Sequence, residues 1–267
     1  MLELVFALWR RDLVKFLRDR QNILASLARP FLWLVAFGLG LRSAVQVTRG
    51  GHDFISFLVP GIAAMTVLFA TMFAAISIVW DREFGFLKEL LVAPVPRGAI
   101  VAAKMLAGAT MGVIEAGLVL LLSPLMGARF DPLGAVGALV VLAVFGMAVN
   151  ALGIAIAARM KTFESFGGVV NFIIQPIFFF SGALYPVDGL PAWLQVLNRI
   201  NPLTYAVDPM RRLVFGHLDV SAAARRTLDP GVSWWGWQLP AWFEVAMVLL
   251  LGATMLGLAI RRFARTE

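Results

Sequence analysis

Glu115 is the one ionisable residue that falls deep inside a long apolar run. If that run crosses a bilayer, a charged carboxylate there costs at least about 2.5–3.5 kcal/mol unless it is protonated, paired or set against a polar cavity. Its chemistry is therefore one of two kinds: contact with a proton or a moving solute, or a hydrogen bond to a neighbouring helix, for example to Asn150. Nothing else reads as a reaction centre. The chain has no cysteine, and its two histidines are His52 and His217, so thiolate chemistry, disulfides and a metal site are not expected. It lacks a phosphate loop ending in Gly-Lys-Ser/Thr, a His-Glu-x-x-His and a Gly-x-Ser-x-Gly. An intramembrane enzyme would need an acid–base pair or an activated nucleophile, and Glu115 by itself supplies neither.

Two further stretches combine unusual residue types. In the first, Asp81, Arg82, Glu83, Lys88 and Glu89 are interleaved with Phe84, Phe86, Leu87, Leu90 and Leu91, and Pro94 and Pro96 end the pattern. A charged helix studded with large apolar groups either buries them against a soluble partner or lies flat on a membrane. In the second, Gly182, Pro186, Pro191, Trp193, Asn201, Pro202 and Tyr205 mix helix breakers with amphipathic anchors. Gly182 should end one helix and Asn201-Pro202 should start another, so the chain dips toward a membrane surface and returns, as a cap, a gate or a passive connection.

The elements that must position these residues follow from composition. The 267 residues are 60% hydrophobic and 15% charged, against roughly 45–50% and about 25% in soluble domains. That rules out a soluble enzyme and a disordered chain. At about 20 residues per span, six spans use roughly 120 residues. The expected architecture is an all-α membrane protein with six transmembrane helices in a single domain over 1–267. An amphipathic interfacial helix covers 2–20, and the spans lie near 23–41, 54–80, 105–126, 133–158, 163–182 and 243–260. The polar connector 81–104 lies inside, and the loop 183–238 lies outside and forms short re-entrant or surface helices before the last span. Arg29 and Pro30 interrupt the first of these spans, and Trp234, Trp235, Trp237 and Trp242 form an interfacial belt before the last. The net charge of +7 sits in short stretches between apolar runs, which argues for membrane orientation rather than nucleic acid. Most of the basic residues fall inside if both termini face the cytoplasm.

The order of an amphipathic helix, six spans, DREFGFLKELLVAPVPR and then SGALYPVDGLPAWLQVLNRINPLTYAVDPMR resembles the ABC-2 type permeases. These are the membrane subunits of ATP-binding-cassette exporters of drugs, glycolipids or polysaccharides. The resemblance implies that Glu83, Phe84, Gly85, Leu87, Lys88 and Leu90 couple to a separate nucleotide-binding subunit. It also implies that two permease chains, as a homodimer, work in membrane lipid by alternating access. The chain itself would be non-catalytic and without a cofactor, and the partner would bind ATP and Mg. Met65, Phe69, Met72, Phe73, Phe172, Gln175, Phe178 and Phe179 would line the substrate path; Gly182, Pro186, Trp193, Asn201, Pro202 and Tyr205 would form an extracytoplasmic gate. The compact form is closest to drug and lipo-oligosaccharide exporters, with hydrophobic or amphipathic cargo, in a prokaryotic plasma membrane (the inner membrane of a Gram-negative cell). A polysaccharide exporter is one alternative. A secondary transporter without an ATPase is another, and it would show more buried ionisable groups or a two-fold repeat.

Overall fold

Uncharged apolar runs fold as helices here because a chain in hydrocarbon must pair every backbone N–H and C=O within itself. The computed structural model describes residues 2–40, 54–86, 96–128, 131–185, 187, 190–215, 231–234 and 237–264. In chain order the helices are α1 (Leu2–Arg18), α2 (Arg20–Gly40), α3 (Phe54–Ala74), α4 (Ile76–Glu83), α5 (Arg97–Leu122), α6 (Pro132–Ala157), α7 (Phe163–Phe179), α8 (Ala192–Ile200), α9 (Thr204–Phe215) and α10 (Ala241–Ala264). A 3₁₀ turn, Ser123–Met126, extends α5. Two short antiparallel strands, β1 (Ser233–Trp234) and β2 (Trp237–Gln238), precede α10. Asp131 caps α6 by accepting from the Gly134 amide at 2.7 Å, and Thr162 caps α7 through the Ser165 amide.

The centre is a three-helix wedge of α3, α5 and α6, with α10 laid along α6 and α1 along α5. Small residues allow the close approach. A Cβ on Gly112 of α5 would stand 2.7 Å from the Thr71 side chain of α3, and one on Gly146 of α6 would stand 3.1 Å from the same methyl group. Gly108 makes room for Asn150, whose amide donates to the Thr71 carbonyl. On the outer side of this wedge, α1 buries Leu8 and Phe16, and its Trp9 indole donates to Thr110 of α5 at 3.1 Å.

The expectation of six spans is corrected. Among the described residues, four helical stretches are long and apolar enough to cross a bilayer: Ile55–Glu83, Arg97–Met126, Pro132–Ala157 and Ala241–Phe263. The expected span 23–41 falls in α2, which carries Arg29 and Pro30 mid-helix and is not among those four stretches. The expected span 163–182 is α7, which stops at Phe179 after 17 residues. At 1.5 Å per residue that is about 26 Å, short of the roughly 30 Å hydrocarbon layer. The stretch Ile55–Glu83, made of α3 and α4 together, has 29 residues, about 43 Å, so one end reaches beyond the hydrocarbon.

The loop expected over 183–238 contains α8 and α9, and they differ in kind. α8 exposes Trp193, Val196 and Ile200, as a surface helix does. α9 is instead packed against α3, α6 and α10, and buries Tyr205, Ala206 and Met210. Gly134, at the start of α6, allows this: a Cβ there would stand 2.1 Å from the Leu213 carbonyl oxygen of α9.

Candidate functional site

The turn after α4 is the first of three places where charged or polar groups converge. Phe84 ends the helix and is 79% exposed, and Gly85 reverses the chain with φ +79°, a conformation that disfavours any residue with a Cβ. Immediately behind this tip, Asp81 faces Lys104 of α5, whose Nζ lies 2.7 Å from Asp81 and 3.0 Å from Asp12 of α1. Arg11 closes the cluster with contacts of 2.8 Å to Asp12 and 3.6 Å to Asp81, and its guanidinium lies 4.7 Å from the centre of the Phe86 ring. Arg82 reaches the other way. It donates to the Ala158 carbonyl at 2.8 Å and to those of Ala157 and Met160, at the C-terminal end of α6. A cation there suits both the unpaired carbonyls and the helix dipole. The tip is thus tied to α1, α5 and α6.

The second place is a cavity of about 1020 Å³ between α1 and α2 on one side and α3, α4 and α5 on the other. Lys104, Asp12 and Asp81 border it at one level, and Glu115, Ser26 and Arg29 at another. Glu115 is 5% exposed, with Ser26 beside it and Arg29 as its opposing charge; the Ser26 hydroxyl itself donates to the Ile23 carbonyl at 2.9 Å. Arg29 itself sits 4.6 Å from the centre of the Phe69 ring. Of the expected path residues, Met65, Phe69 and Phe73 line this cavity. Met72 turns to α6, with its sulfur 3.2 Å from where a Gly153 Cβ would stand. Phe178 packs edge-on against Trp33, while Phe172, Gln175 and Phe179 lie on an exposed face of α7. The eight residues therefore do not converge within one chain.

The third place is a polar clasp around the loop after α7. Gly182, with φ +72°, turns the chain, and the Arg211 guanidinium of α9 donates to the Gly182 and Ala183 carbonyls at 2.9 and 3.0 Å while lying 4.0 Å from the centre of the Phe57 ring of α3. The Asn198 amide donates to the Phe180 carbonyl, the Asn201 amide to the Ile177 carbonyl, and the Thr204 hydroxyl to the Ser181 carbonyl. Tyr205 donates to the Arg199 carbonyl and accepts from the Trp234 indole at 3.1 Å. Below it, Arg212 bridges Asp208 at 2.6 Å and the fully buried Glu244 at 3.1 Å, joining α9 to α10. The expected residues Gly182, Asn201 and Tyr205 meet in this clasp; Pro202 stands beside it, and Trp193 points outward from α8.

Leu87, Lys88, Leu90 and Pro186, which the sequence also nominates, lie outside the described residues. Among the described residues no group of His, Cys, Asp and Glu could hold a metal ion.

A family model described as "ABC-2 type transporter" matches residues 3–215. The chain belongs to that family. Nodulation protein J of Rhizobium leguminosarum bv. trifolii is 32% identical over 223 residues, covering 79% of this chain and 81% of the relative. The putative transport permease ycf38 of Cyanophora paradoxa is 27% identical, covering 78% and 73%. A probable doxorubicin resistance ABC transporter permease protein, DrrC, of Mycobacterium tuberculosis is 29% identical, covering 77% and 75%. This ABC-2 permease is accordingly a multi-pass membrane protein and a non-catalytic subunit, of a kind that works with a nucleotide-binding subunit.

Sequence reasoning missed the ionic cluster behind the α4 tip in this permease. Lys104 was expected to close a polar connector, but the helix already begins at Arg97, so Lys104 is a buried member of α5. The available signal was the unbroken apolar run Ala99–Ala103 leading straight into Lys104, with no proline between Pro96 and that lysine. Nor does the sequence pair Glu115 with α2: Asn150 bonds Thr71 instead, and the groups facing Glu115 come from Ser26 and Arg29.

Proposed function

We propose that this permease forms one half of an exporter, paired with a second copy, and that its ATPase partner docks on the turn after α4. Glu83, Phe84 and Gly85 begin the docking surface, and Leu87, Lys88 and Leu90 continue it. The observation that carries the reading is the tie of Asp81 and Arg82 to α1, α5 and α6 directly behind the exposed Phe84. A push on Phe84 reaches three helices through ion pairs and hydrogen bonds rather than dissipating in a loop.

ATP prefers the closed ATPase dimer, so its binding shifts the permease through a differential affinity for two states. The cargo is hydrophobic or amphipathic; the drug-resistance permease among the relatives supports this, as does the apolar wall of Met65, Phe69 and Phe73. The clasp of Gly182, Asn201, Pro202 and Tyr205, with Trp193 beside it and Pro186 in the same loop, serves as the outer gate. Both termini face the cytoplasm of a prokaryotic cell, as the placement of lysine and arginine favours.

The test is Glu83→Ala with Phe84→Ala in the complete transporter. ATP-driven export and co-purification of the ATPase subunit should both fall, with the amount of permease in the membrane unchanged. Parental levels of both in the double variant would remove the docking role.

A further inference from the structure

The cavity of about 1020 Å³ is walled by one chain alone, and its volume suits a drug-sized molecule. Its two polar levels differ in what they leave to a ligand. At the first, Lys104 is held by Asp12 and Asp81 at 3.0 and 2.7 Å, so these charges are spent on one another. At the second, about 16 Å further along α5 by helical rise, the Glu115 carboxyl borders the cavity beside Ser26, whose hydroxyl proton goes to the Ile23 carbonyl. The opposing cation, Arg29, lies over the Phe69 ring. Between the levels the wall is Phe73, Met111 and Ala70.

We infer that this slot binds an organic cation with an apolar, ring-bearing body, its charge toward Glu115 and its body against Phe69, Phe73 and Met111. A small inorganic cation would lose its hydration on entering and recover little from one carboxyl group. An organic cation is weakly hydrated and brings apolar surface that the slot removes from water. Ring faces attract it further, and methionine adapts to its shape. An anion of the same shape meets the Glu115 charge. Arg29 offsets part of this preference, its guanidinium being engaged on the Phe69 ring. The pocket lies within one permease half, where it holds cargo before transfer to a path between halves; that loading role rests on the exporter reading above.

The test uses the complete transporter in lipid nanodiscs and two probes of equal shape and opposite charge, tetraphenylphosphonium and tetraphenylborate, with binding measured by equilibrium dialysis. The parent should bind the cation more tightly than the anion. Glu115→Gln should weaken cation binding by about tenfold or more, as expected for loss of one close charge, and narrow the preference. Ala70→Trp fills the slot and should weaken both probes; it carries the test if Glu115→Gln does not fold. Parental affinity for the cation in a folded Glu115→Gln variant, unchanged binding of both probes to Ala70→Trp, or equal affinity of the parent for both probes would overturn the site. If the site falls while ATP still drives amphiphile movement into inverted vesicles, the exporter reading stands. If binding follows the expected pattern but ATP moves no amphiphile, the site stands and its loading role falls with that reading.

Discussion

Lys104 Nζ lies 2.7 Å from an Asp81 carboxylate oxygen, and the lysine side chain is only 4% exposed. The pair joins α5 to the last turn of α4, and Asp12 extends it to α1. A largely buried pair of this kind is costly to halve, because the two carboxylates are then left to share Arg11.

Replacing Lys104 by Met should therefore destabilise the protein by about 3–5 kcal/mol. Adding Asp81→Asn should recover part of the loss, since the second change leaves one carboxylate, Asp12, rather than two against Arg11. Thermal unfolding of the detergent-solubilised parent, single and double variants checks this. A double variant that is the sum of two independent losses would contradict the pairing.

Gly61 faces the loop after α7 so closely that a Cβ would stand 2.1 Å from the Ala183 carbonyl oxygen. Backbone cannot swing aside as a side chain can, so Gly61→Ala should cost about 1–3 kcal/mol. Gly167 is also helical but has nothing within 4 Å of its would-be Cβ. There the same substitution should raise stability by up to about 1 kcal/mol through helix propensity. The contrast is read from the two unfolding temperatures.

The Tyr205 hydroxyl is held between the Arg199 carbonyl and the Trp234 indole, and burial pushes its ionisation above the ordinary tyrosine range; the Trp234 hydrogen bond works the other way. Below about pH 10 the phenol is neutral in both folded and unfolded chains, so its contribution to stability is constant. As pH rises past that value, the unfolded chain loses its proton first and stability declines. Tyr205→Phe should lose about 1–3 kcal/mol at neutral pH, mainly from the unsatisfied partners. It should also show a smaller further loss than the parent above about pH 10. Unfolding temperatures of both proteins across that range measure the difference.

Much was legible in the sequence because membrane solvation acts on each segment separately. The apolar runs through α3, α5, α6 and α10 were readable as spans and the Gly182 to Arg211 stretch as a family signature, whereas the polar helix read from Asp81 through Phe84 and Gly85 to Pro94 is interrupted, because α4 ends at Glu83 and Gly85 turns the chain. Length and charge were harder to weigh. α7 was read three residues too long, to Gly182 rather than Phe179, and α2 was read as a span despite Arg29 and Pro30.

The sequence by itself determined that this is a helical membrane protein of the ABC-2 type, because hydrophobic run length, capping residues and motif spacing are local properties. Tertiary structure alone decided which polar groups meet. Lys104 finds Asp12 and Asp81 across distances of 92 and 23 residues in the chain, and Glu115 faces Ser26 and Arg29 rather than Asn150. Helix periodicity tells which face of a helix is polar; which helix that face meets depends on crossing geometry set by glycine contacts such as Gly112 on Thr71. The cavity exists only because α1 and α2 stand away from α3 and α5 at that level, and no single segment encodes that separation.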